Sequence, residues 1–215
     1  MQMAASNAGA AAITNYTYIA HTTGGPSQAI TMSSSAQAGD IAIGYTSGVG
    51  GSSTATWNGF TLITNISSTF DDTLQYRIVQ SGDAGSTFTN TNATSYDVCA
   101  LFIIRPNAPA ATVTVSDINN SGQTSGTPAS QVLDTPSTTP KLLVSVGSQF
   151  GSSSHTVSGH GSPLYSTGSI IYDNPSARIY MTVEIQNTTA TNRTISMSDY
   201  GSYNRLVSCI ITAEP

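Results

Sequence analysis

Short segments rich in β-branched and aromatic residues alternate along the chain with clusters of Gly, Ser, Asn, Asp and Pro. Such segments predict β-strands, and the clusters between them predict turns. In the first half the predicted strands lie at residues 16–20, 28–32, 40–45, 61–65, 73–79, 87–89 and 98–104. In the second half they lie at residues 142–146, 169–172, 177–185, 193–197 and 205–212. No long helical period competes with this pattern, so the chain is predicted to be all-β.

The second series of strands repeats the first. Asp40–Ile43 matches Lys141–Val144, and Ile103–Pro106 matches Thr212–Pro215. Two interpretations are open: two small domains in tandem, or two half-sandwiches that complete one core. We expect one sandwich, because five or six short strands bury only a marginal core, whereas two sheets packed face to face bury both apolar faces.

The expected fold is therefore an antiparallel β-sandwich, jelly-roll-like or Ig-like, built from two similar half-sets of strands. Residues 1–15, rich in Ala, Gly, Ser and Asn, are expected to form an N-terminal arm that contacts a neighbouring subunit. Residues 16–215 are expected to form a single domain whose two halves are residues 28–106 and 141–215. Between the halves, Thr112–Val115 predicts a connecting strand.

Two strands predict which faces of the sheets are buried. In residues 73–79 polar and apolar residues alternate, which predicts an edge-like strand with one buried face. The run from Cys99 to Ile104 is apolar throughout, which predicts a central strand whose second face is covered by a loop or a partner. That second face is a candidate interface. Cys99 and Cys209 both lie in apolar runs and are expected to be buried thiols.

Composition limits the partners of the chain. Hydrophobic residues make up 38% of the sequence, enough for a core, but charged residues only 8%, against about 25% in typical proteins. A chain with so few charges either stays soluble through its hydroxyl and amide groups or has much of its surface covered by neighbouring subunits, and we favour the second interpretation. The net charge of −5 and the single lysine, Lys141, argue against nucleic acid as a partner.

The sequence predicts neither membrane insertion nor export. No apolar run approaches the length of about 18 residues that crosses a bilayer. The start of the chain has no basic segment followed by a continuous apolar stretch, as an export signal would require. We therefore expect a protein that is made in the cytoplasm and has no membrane partner.

No catalytic or metal-binding constellation is recognisable in the sequence. His155 and His160 lie in a Gly/Ser-rich stretch at a spacing that matches no helical zinc motif. Asp71-Asp72 has no alternating ligand pattern around it and predicts a turn before the following strand. The two glutamates, Glu184 and Glu214, would form a glycosidase-type carboxylate pair only by spatial coincidence. The chain is therefore predicted not to be an enzyme and to use no cofactor or metal.

Four aromatic residues are candidates for a ligand-binding or interface surface: Trp57, Phe60, Tyr200 and Tyr203. As an exposed aromatic, Trp57 would stack on a sugar ring, but we favour the other interpretation, a core or interface anchor. The Tyr/Gly/Ser/Asn segment around Tyr200 and Tyr203 suits adaptable recognition and equally suits an ordinary hairpin.

Short motifs occur in a characteristic order in the first half. They are Ala38-Gly39-Asp40-Ile41, Trp57-Asn58-Gly59-Phe60-Thr61, and Leu74-Gln75-Tyr76-Arg77-Ile78 followed by Ser81-Gly82-Asp83. This order resembles a β-sandwich module common in tailed-phage virion proteins. That module has a "GD" strand, a Gly-aromatic turn, a strand ending in a second "GD" turn and a strand ending near "RP" or "RG". Here Phe60 stands where the module usually has tryptophan, and Val98–Pro106 takes the last position.

The resemblance implies an accessory virion protein, assembled in the host cytoplasm. We expect a capsid decoration or cement protein on the particle exterior, with a tail or fibre component that binds a surface glycan as the alternative. Its implied partners are further copies of itself, in a ring or trimer, and other virion proteins such as the major capsid protein. A hydrolase with a hidden carboxylate site is a third hypothesis.

Overall fold

The computed structural model describes residues 11–24, 29–49, 56–67, 70–90, 98–124, 130–133, 140–150, 157–158, 164–166, 170–174, 177–188, 193–197 and 203–215. These segments form an all-β sandwich of antiparallel sheets, which confirms the predicted fold class. None of them contains a helix, and so none offers a helical membrane span.

Sixteen strands are named in chain order. The first half contains β1 Tyr16–Gly24, β2 Ala29–Thr31, β3 Ile41–Val49, β4 Thr61–Ser67, β5 Phe70–Ile78, β6 Thr87–Thr89 and β7 Val98–Pro106. The second half contains β8 Thr112–Thr124, β9 Ser130–Leu133, β10 Lys141–Phe150, β11 Val157–Ser158, β12 Tyr165–Ser166, β13 Ile170–Asn174, β14 Ala177–Thr188, β15 Arg193–Met197 and β16 Tyr203–Glu214. The hydrophobic pattern does not predict β9, β11 and β12, because these short strands take their geometry from pairing with neighbours.

The two halves have the same topology. The strand order is β1-β7-β3-β5-β4 in the first large sheet and β8-β16-β10-β14 in the second, where β12 and β13 both pair with β14. Each half also has a small outer sheet, β2-β6 in the first and β11-β15-β9 in the second. The second half therefore repeats the first strand by strand, with β12 and β13 together in the position of β4.

The hydrogen-bond register gives the equivalence of the halves residue by residue. Ile41 pairs with Ile104 in the first half, and Leu142 pairs with Ile211 in the second. Ile104 is therefore equivalent to Ile211, not to Ala213 as the sequence match of the last strands predicts. That match was wrong because a shift of two residues along a strand leaves the inward and outward faces unchanged.

The corresponding edge strands β1 and β8 carry bulges at similar positions. In β1 the register shifts between Tyr18 and Ala20. In β8 the shift lies at Asp117, which has a φ of 49°, opposite Ser208 to Ile210 of β16. A bulge bends an edge strand and interrupts its ladder, which discourages uncontrolled pairing with the edge of another sheet.

The two large sheets pack face to face around the central core. From the first sheet this core contains Tyr16, Ile41, Ile43, Tyr45, Leu74, Val98, Ala100, Phe102 and Ile104. From the second it contains Leu142, Val144, Val146, Ile185, Val207, Cys209 and Ile211. Alternate side chains of each strand point inward, so each half supplies one wall of the core.

The outer face of each large sheet is covered by the chain itself. On the first sheet, Ile30, Met32, Ala36, Trp57, Phe60 and Phe88 pack on Ala42, Cys99, Leu101 and Ile103. On the second, Val157, Ile195 and Met197 pack on Leu143, Leu206 and Ile210. The outer face of residues 99–104 is therefore not an interface: β2, β6 and the segment at Trp57 occupy it.

Strand β5 lies between β3 and β4, and the prediction of an edge-like strand with one buried face was wrong. Thr73 and Gln75 on its outer face are 1% and 0% exposed, as buried as Leu74 on its inner face. The outer layer covers this face of the sheet and supplies a partner to Gln75. The Oε1 atom of Gln75 accepts a hydrogen bond of 2.9 Å from the backbone N–H of Trp57.

Residues 11–15, within the predicted N-terminal arm, are attached to the body of the chain. Ile13 is part of the central core. Asn107 Oδ1 accepts hydrogen bonds from the backbone N–H groups of Thr14 and Asn15, at 2.7 and 3.0 Å. Residues 1–10 lie outside the described residues, so their contact with a neighbour stays a prediction, as does the division into an arm and a single domain.

The two cysteines are buried and are not joined in a disulfide, which confirms the prediction of thiols. They lie in the equivalent strands β7 and β16, but Cys99 faces the outer layer and Cys209 faces the central core. Burial raises the pKa of the Cys209 thiol to about 12. The reactive thiolate is therefore suppressed at this position.

Gly44 of β3 makes room for the indole of Trp57. A Cβ atom at Gly44 would lie 2.1 Å from Trp57 Cζ3. The register makes Ser145 the equivalent of Gly44 in the second half. The residue that corresponds to Trp57 in the second half is Val157 of β11. Val157 pairs with Met197 of β15, just as Trp57 pairs with Asn90, the residue that follows β6. The second half thus has Val157 in the outer layer and Ser145 in the sheet where the first half has Trp57 and Gly44.

We expect Gly44→Ala to destabilise the protein by about 1–3 kcal/mol, because the added methyl group overpacks the outer layer under Trp57. Urea unfolding followed by tryptophan fluorescence measures this change. Ser145→Ala is the matched control, expected to be neutral or stabilising, since the Ser145 hydroxyl is buried without a hydrogen-bond partner. A Gly44→Ala variant as stable as wild type would contradict the close packing.

We expect neither thiol to react with a disulfide reagent in the folded protein at about pH 8, since both sulfur atoms are inaccessible. The measurement is the absorbance of the released chromophore, before and after unfolding in guanidinium. Unfolded protein should release two equivalents, the number of cysteines in the chain. Rapid reaction of the folded protein would show that either the outer layer over Cys99 or the central core around Cys209 opens.

Candidate functional site

The first and last of the sequence motifs meet at one end of the first large sheet. Arg105 donates from Nε to Asp40 Oδ1 and from Nη2 to Asp40 Oδ2, both at 2.8 Å. Arg105 also donates to the carbonyl of Ser35 at 2.9 Å, and Asp40 accepts from the N–H of Gln37 at 2.8 Å. This bidentate ion pair ties the start of β3 to the end of β7.

The other two motifs meet at a second ion pair. Arg77 donates from Nε and Nη2 to the two carboxylate oxygens of Asp83, at 2.7 and 3.0 Å. Its Nη1 donates to the carbonyl of Gly59 at 2.8 Å. Gly59 and Gly82 have φ values of +80° and +93°, which favour glycine. Burial pushes the pKa of Asp83 upward, but the hydrogen bonds from Arg77 and from the N–H of Gln80 outweigh it and hold this pKa below its ordinary value.

Trp57 and Phe60 belong to an aromatic row beneath this ion pair. The Trp57 and Phe60 rings pack edge to face with their centroids 5.2 Å apart. The Phe60 and Phe88 rings pack in the same way with their centroids 5.3 Å apart. The guanidinium of Arg77 lies 5.5 Å above the Phe88 ring. Trp57 is 1% exposed, so its ring offers no face to a sugar and anchors the outer layer instead.

The two candidate tyrosines lie elsewhere in the chain. Tyr200 is outside the described residues. Tyr203 begins β16, where its backbone pairs with Phe150 of β10 and Thr124 of β8. Their role in a ligand-binding or interface surface stays a prediction.

A group of polar side chains lies inside the central core, where the two large sheets meet. We call Tyr45, Asp72, Ser148 and Arg205 the central polar cluster. Asp72 Oδ1 accepts a hydrogen bond of 2.5 Å from the Tyr45 hydroxyl and one of 2.9 Å from the Ser148 hydroxyl. The two hydroxyl oxygens lie 3.1 Å apart, and Arg205 Nε lies 3.5 Å from Asp72 Oδ2. The cluster therefore joins β3 and β5 of the first half to β10 and β16 of the second.

The surroundings of the cluster set its protonation. The side chain of Asp72 is 0% exposed and that of Arg205 is 13% exposed. Burial raises the pKa of Asp72, although hydrogen bonds from Tyr45, Ser47 and Ser148 and the charge of Arg205 act in the opposite direction. Burial and the neighbouring carboxylate raise the pKa of Tyr45 well above its ordinary value. Tyr45 is consequently a hydrogen-bond donor at neutral pH.

The sequence does not single out this cluster. The prediction of a turn at Asp71-Asp72 was wrong, because both residues lie inside β5. A strand accepts such a residue when partners from another sheet satisfy it, and Ser148 and Arg205 are distant in sequence. One signal in the sequence could have indicated the cluster: Tyr45 alternates with Ile41 and Ile43 along β3, so its hydroxyl group must find a partner in the core. This signal can be used only once it is known that this face of β3 points inward.

The central polar cluster holds the two halves together and can hold a proton. A carboxyl group in contact with two hydroxyl groups offers both an acceptor and, when protonated, a donor. Among the described side chains, no group of three His, Cys, Asp and Glu residues is placed to hold a metal ion.

Comparison of the chain with protein-family models, curated proteins and solved structures finds no match. Its class is therefore defined by its own architecture: an all-β sandwich of two topologically equivalent halves around a central core that contains a polar cluster.

We expect Asp83→Asn to destabilise the protein at neutral pH by about 1.5–3 kcal/mol, the usual range for hydrogen bonds to a charged group. Because the pKa of Asp83 is lowered by folding, the carboxylate contributes stability above its ordinary value of 3.8 and loses it as the pH falls through the folded-state pKa. Urea unfolding at several pH values should show the difference from wild type vanish in acid. Ser81→Asn in the same turn is the control, expected to stay within about 0.5 kcal/mol of wild type.

Proposed function

We propose that this chain is a non-enzymatic structural protein of a tailed-phage particle, acting as a capsid decoration or cement protein on the particle exterior. The observation that supports this most is that the motifs behind the phage resemblance contact one another. Arg105 pairs with Asp40, while Arg77 joins Asp83 to the Gly59 turn. Motifs that the resemblance assigns to one module are thus paired in space, which supports the proposal.

The shared core suits a reinforcing role. A cement protein transmits load between neighbouring capsid subunits, so its body must not separate under tension. Here separation of the halves would expose the inner faces of both large sheets, and each buried Leu, Ile or Val contributes about 1.5–3 kcal/mol. The central polar cluster adds hydrogen bonds across the same junction.

The surface chemistry suits close contact with other protein surfaces. The exposed side chains of the edge strand β8 include Thr112, Thr114, Ser116, Ile118 and Asn120, none of them charged. Charged residues are depleted at the centres of protein interfaces, because burying an unpaired charge is costly. We propose that such low-charge surfaces contact further copies of the chain, in a ring or trimer, and the major capsid protein.

The test is to locate the chain on purified particles of the phage that encodes it, by cryo-electron microscopy and by immunogold labelling. We expect density for a duplicated β-sandwich at symmetric positions on the outer surface of the head. Density confined to the tail would overturn capsid decoration and favour the receptor-module alternative. Absence of the chain from purified particles would overturn the virion proposal itself.

A glycan array with the folded protein separates the receptor alternative from the structural role. We expect no specific binding. Specific binding that is lost in Tyr200→Ala or Tyr203→Ala would contradict a purely structural function. Trp57→Ala is unsuitable as a test, because the buried indole stabilises the outer layer.

A further inference from the structure

Three oxygen atoms of the central polar cluster form a closed triangle. Asp72 Oδ1 lies 2.5 Å from the Tyr45 oxygen and 2.9 Å from the Ser148 oxygen, and the two hydroxyl oxygens are 3.1 Å apart. All three distances are hydrogen-bond distances, and each hydrogen bond needs one hydrogen atom. The three sides of the triangle therefore call for three hydrogen atoms.

The number of available hydrogen atoms depends on Asp72. Tyrosine and serine supply one each, and an ionised carboxylate supplies none. With Asp72 ionised, Tyr45 and Ser148 both donate to it, and the contact between the two hydroxyl groups has no hydrogen atom. With a proton on Asp72 Oδ1, Asp72 donates to Tyr45, Tyr45 donates to Ser148, and Ser148 donates to Asp72. All three contacts are then hydrogen bonds.

The groups that face Asp72 come from three neighbouring strands. Strand β3 supplies the titratable Tyr45 and the neutral Ser47, β16 supplies the positive charge of Arg205, and β10 supplies the neutral Ser148. Strand β4 pairs with β5 but has no titratable residue. Asp71 is the next residue along β5, and its side chain points to the opposite face of the sheet.

Arg205 and burial act on Asp72 in opposite directions. The charge of Arg205 favours the ionised form, but its Nε approaches Oδ2 only to 3.5 Å, which is longer than a hydrogen bond between charged groups. Burial favours the neutral form and acts on a carboxyl group that is 0% exposed. Burial is the larger effect, and the pKa of Asp72 is raised.

We propose that Asp72 is a proton-binding site that links pH to the cohesion of the two halves. The proton closes a ring of hydrogen bonds between β3 and β5 of the first half and β10 of the second. Its loss breaks that ring and leaves a negative charge in the central core. This property is independent of the proposed place of the chain in a virion.

The proposal fixes the sign of the pH dependence. If the pKa of Asp72 is higher in the folded than in the unfolded chain, folding takes up a proton at this site. Its contribution to stability is then fully present below the unfolded-state pKa and is lost as the pH rises through the folded-state pKa. Folding lowers the pKa of Asp83, so the contribution of Asp83 to stability changes with pH in the opposite direction.

Asp72→Asn is the variant that tests this sign. Asparagine has the shape of aspartate and accepts hydrogen bonds from Tyr45 and Ser148, but it does not titrate. We expect the urea midpoint of Asp72→Asn, relative to wild type, to be higher at about pH 7 than at about pH 3, because the unfolded wild-type chain loses the Asp72 proton at a lower pH than the folded chain. Asp83→Asn is the matched control, and its relative midpoint should fall over the same range. A relative midpoint of Asp72→Asn that falls or stays constant would overturn the proposal.

A second measurement covers the case in which Asp72→Asn does not fold. The carboxyl resonance of Asp72 in wild-type protein, isotope-labelled at aspartate, is titrated by NMR. We expect a midpoint above that of the same resonance in urea-unfolded protein, and a further upward shift in Arg205→Gln. A midpoint below the unfolded reference would mean that Arg205 keeps Asp72 ionised, and the proposal would be wrong.

Discussion

The burial of the two inner sheet faces against each other is the interaction on which the rest of the structure depends. Each large sheet has a row of apolar side chains on its inner face, and neither row is covered within its own half. The small outer sheets protect only the outer faces. Because hydrophobic stabilisation scales with the apolar area removed from water, the halves gain most of their stability from each other.

The central polar cluster limits how the two sheets can pack. A purely apolar interface between flat sheets tolerates sliding, because one aliphatic contact resembles the next. Asp72 removes that freedom: a shift of either sheet would separate the buried carboxyl group from Ser148 and Arg205, its partners in the other sheet, and leave it only its partners in β3. The cluster thus contributes specificity to a junction whose free energy is mainly hydrophobic.

The equivalent halves differ in how their strand ends are fixed. In the first half, Asp40 at the start of β3 pairs with Arg105 at the end of β7. The register makes Lys141 and Thr212 the equivalent residues in the second half, and these two cannot form such an ion pair. The outer layers also differ: Trp57 packs against Gly44 in the first half, whereas the outer layer of the second half contains Val157, Ile195 and Met197. The two halves share a strand order but differ in their side-chain interactions.

The sequence by itself determined the strand content, the doubled organisation and the burial of both cysteines, because β-branched runs, turn residues and apolar neighbours are local signals. It placed most long strands but missed β9, β11 and β12, whose geometry depends on pairing partners. Only the tertiary structure decided that β5 is an interior strand, that Trp57 covers Gly44, and that Asp72 meets Ser148. Those facts depend on which residues distant in sequence become neighbours, and the hydrophobic pattern of one strand is the same whichever strand lies beside it.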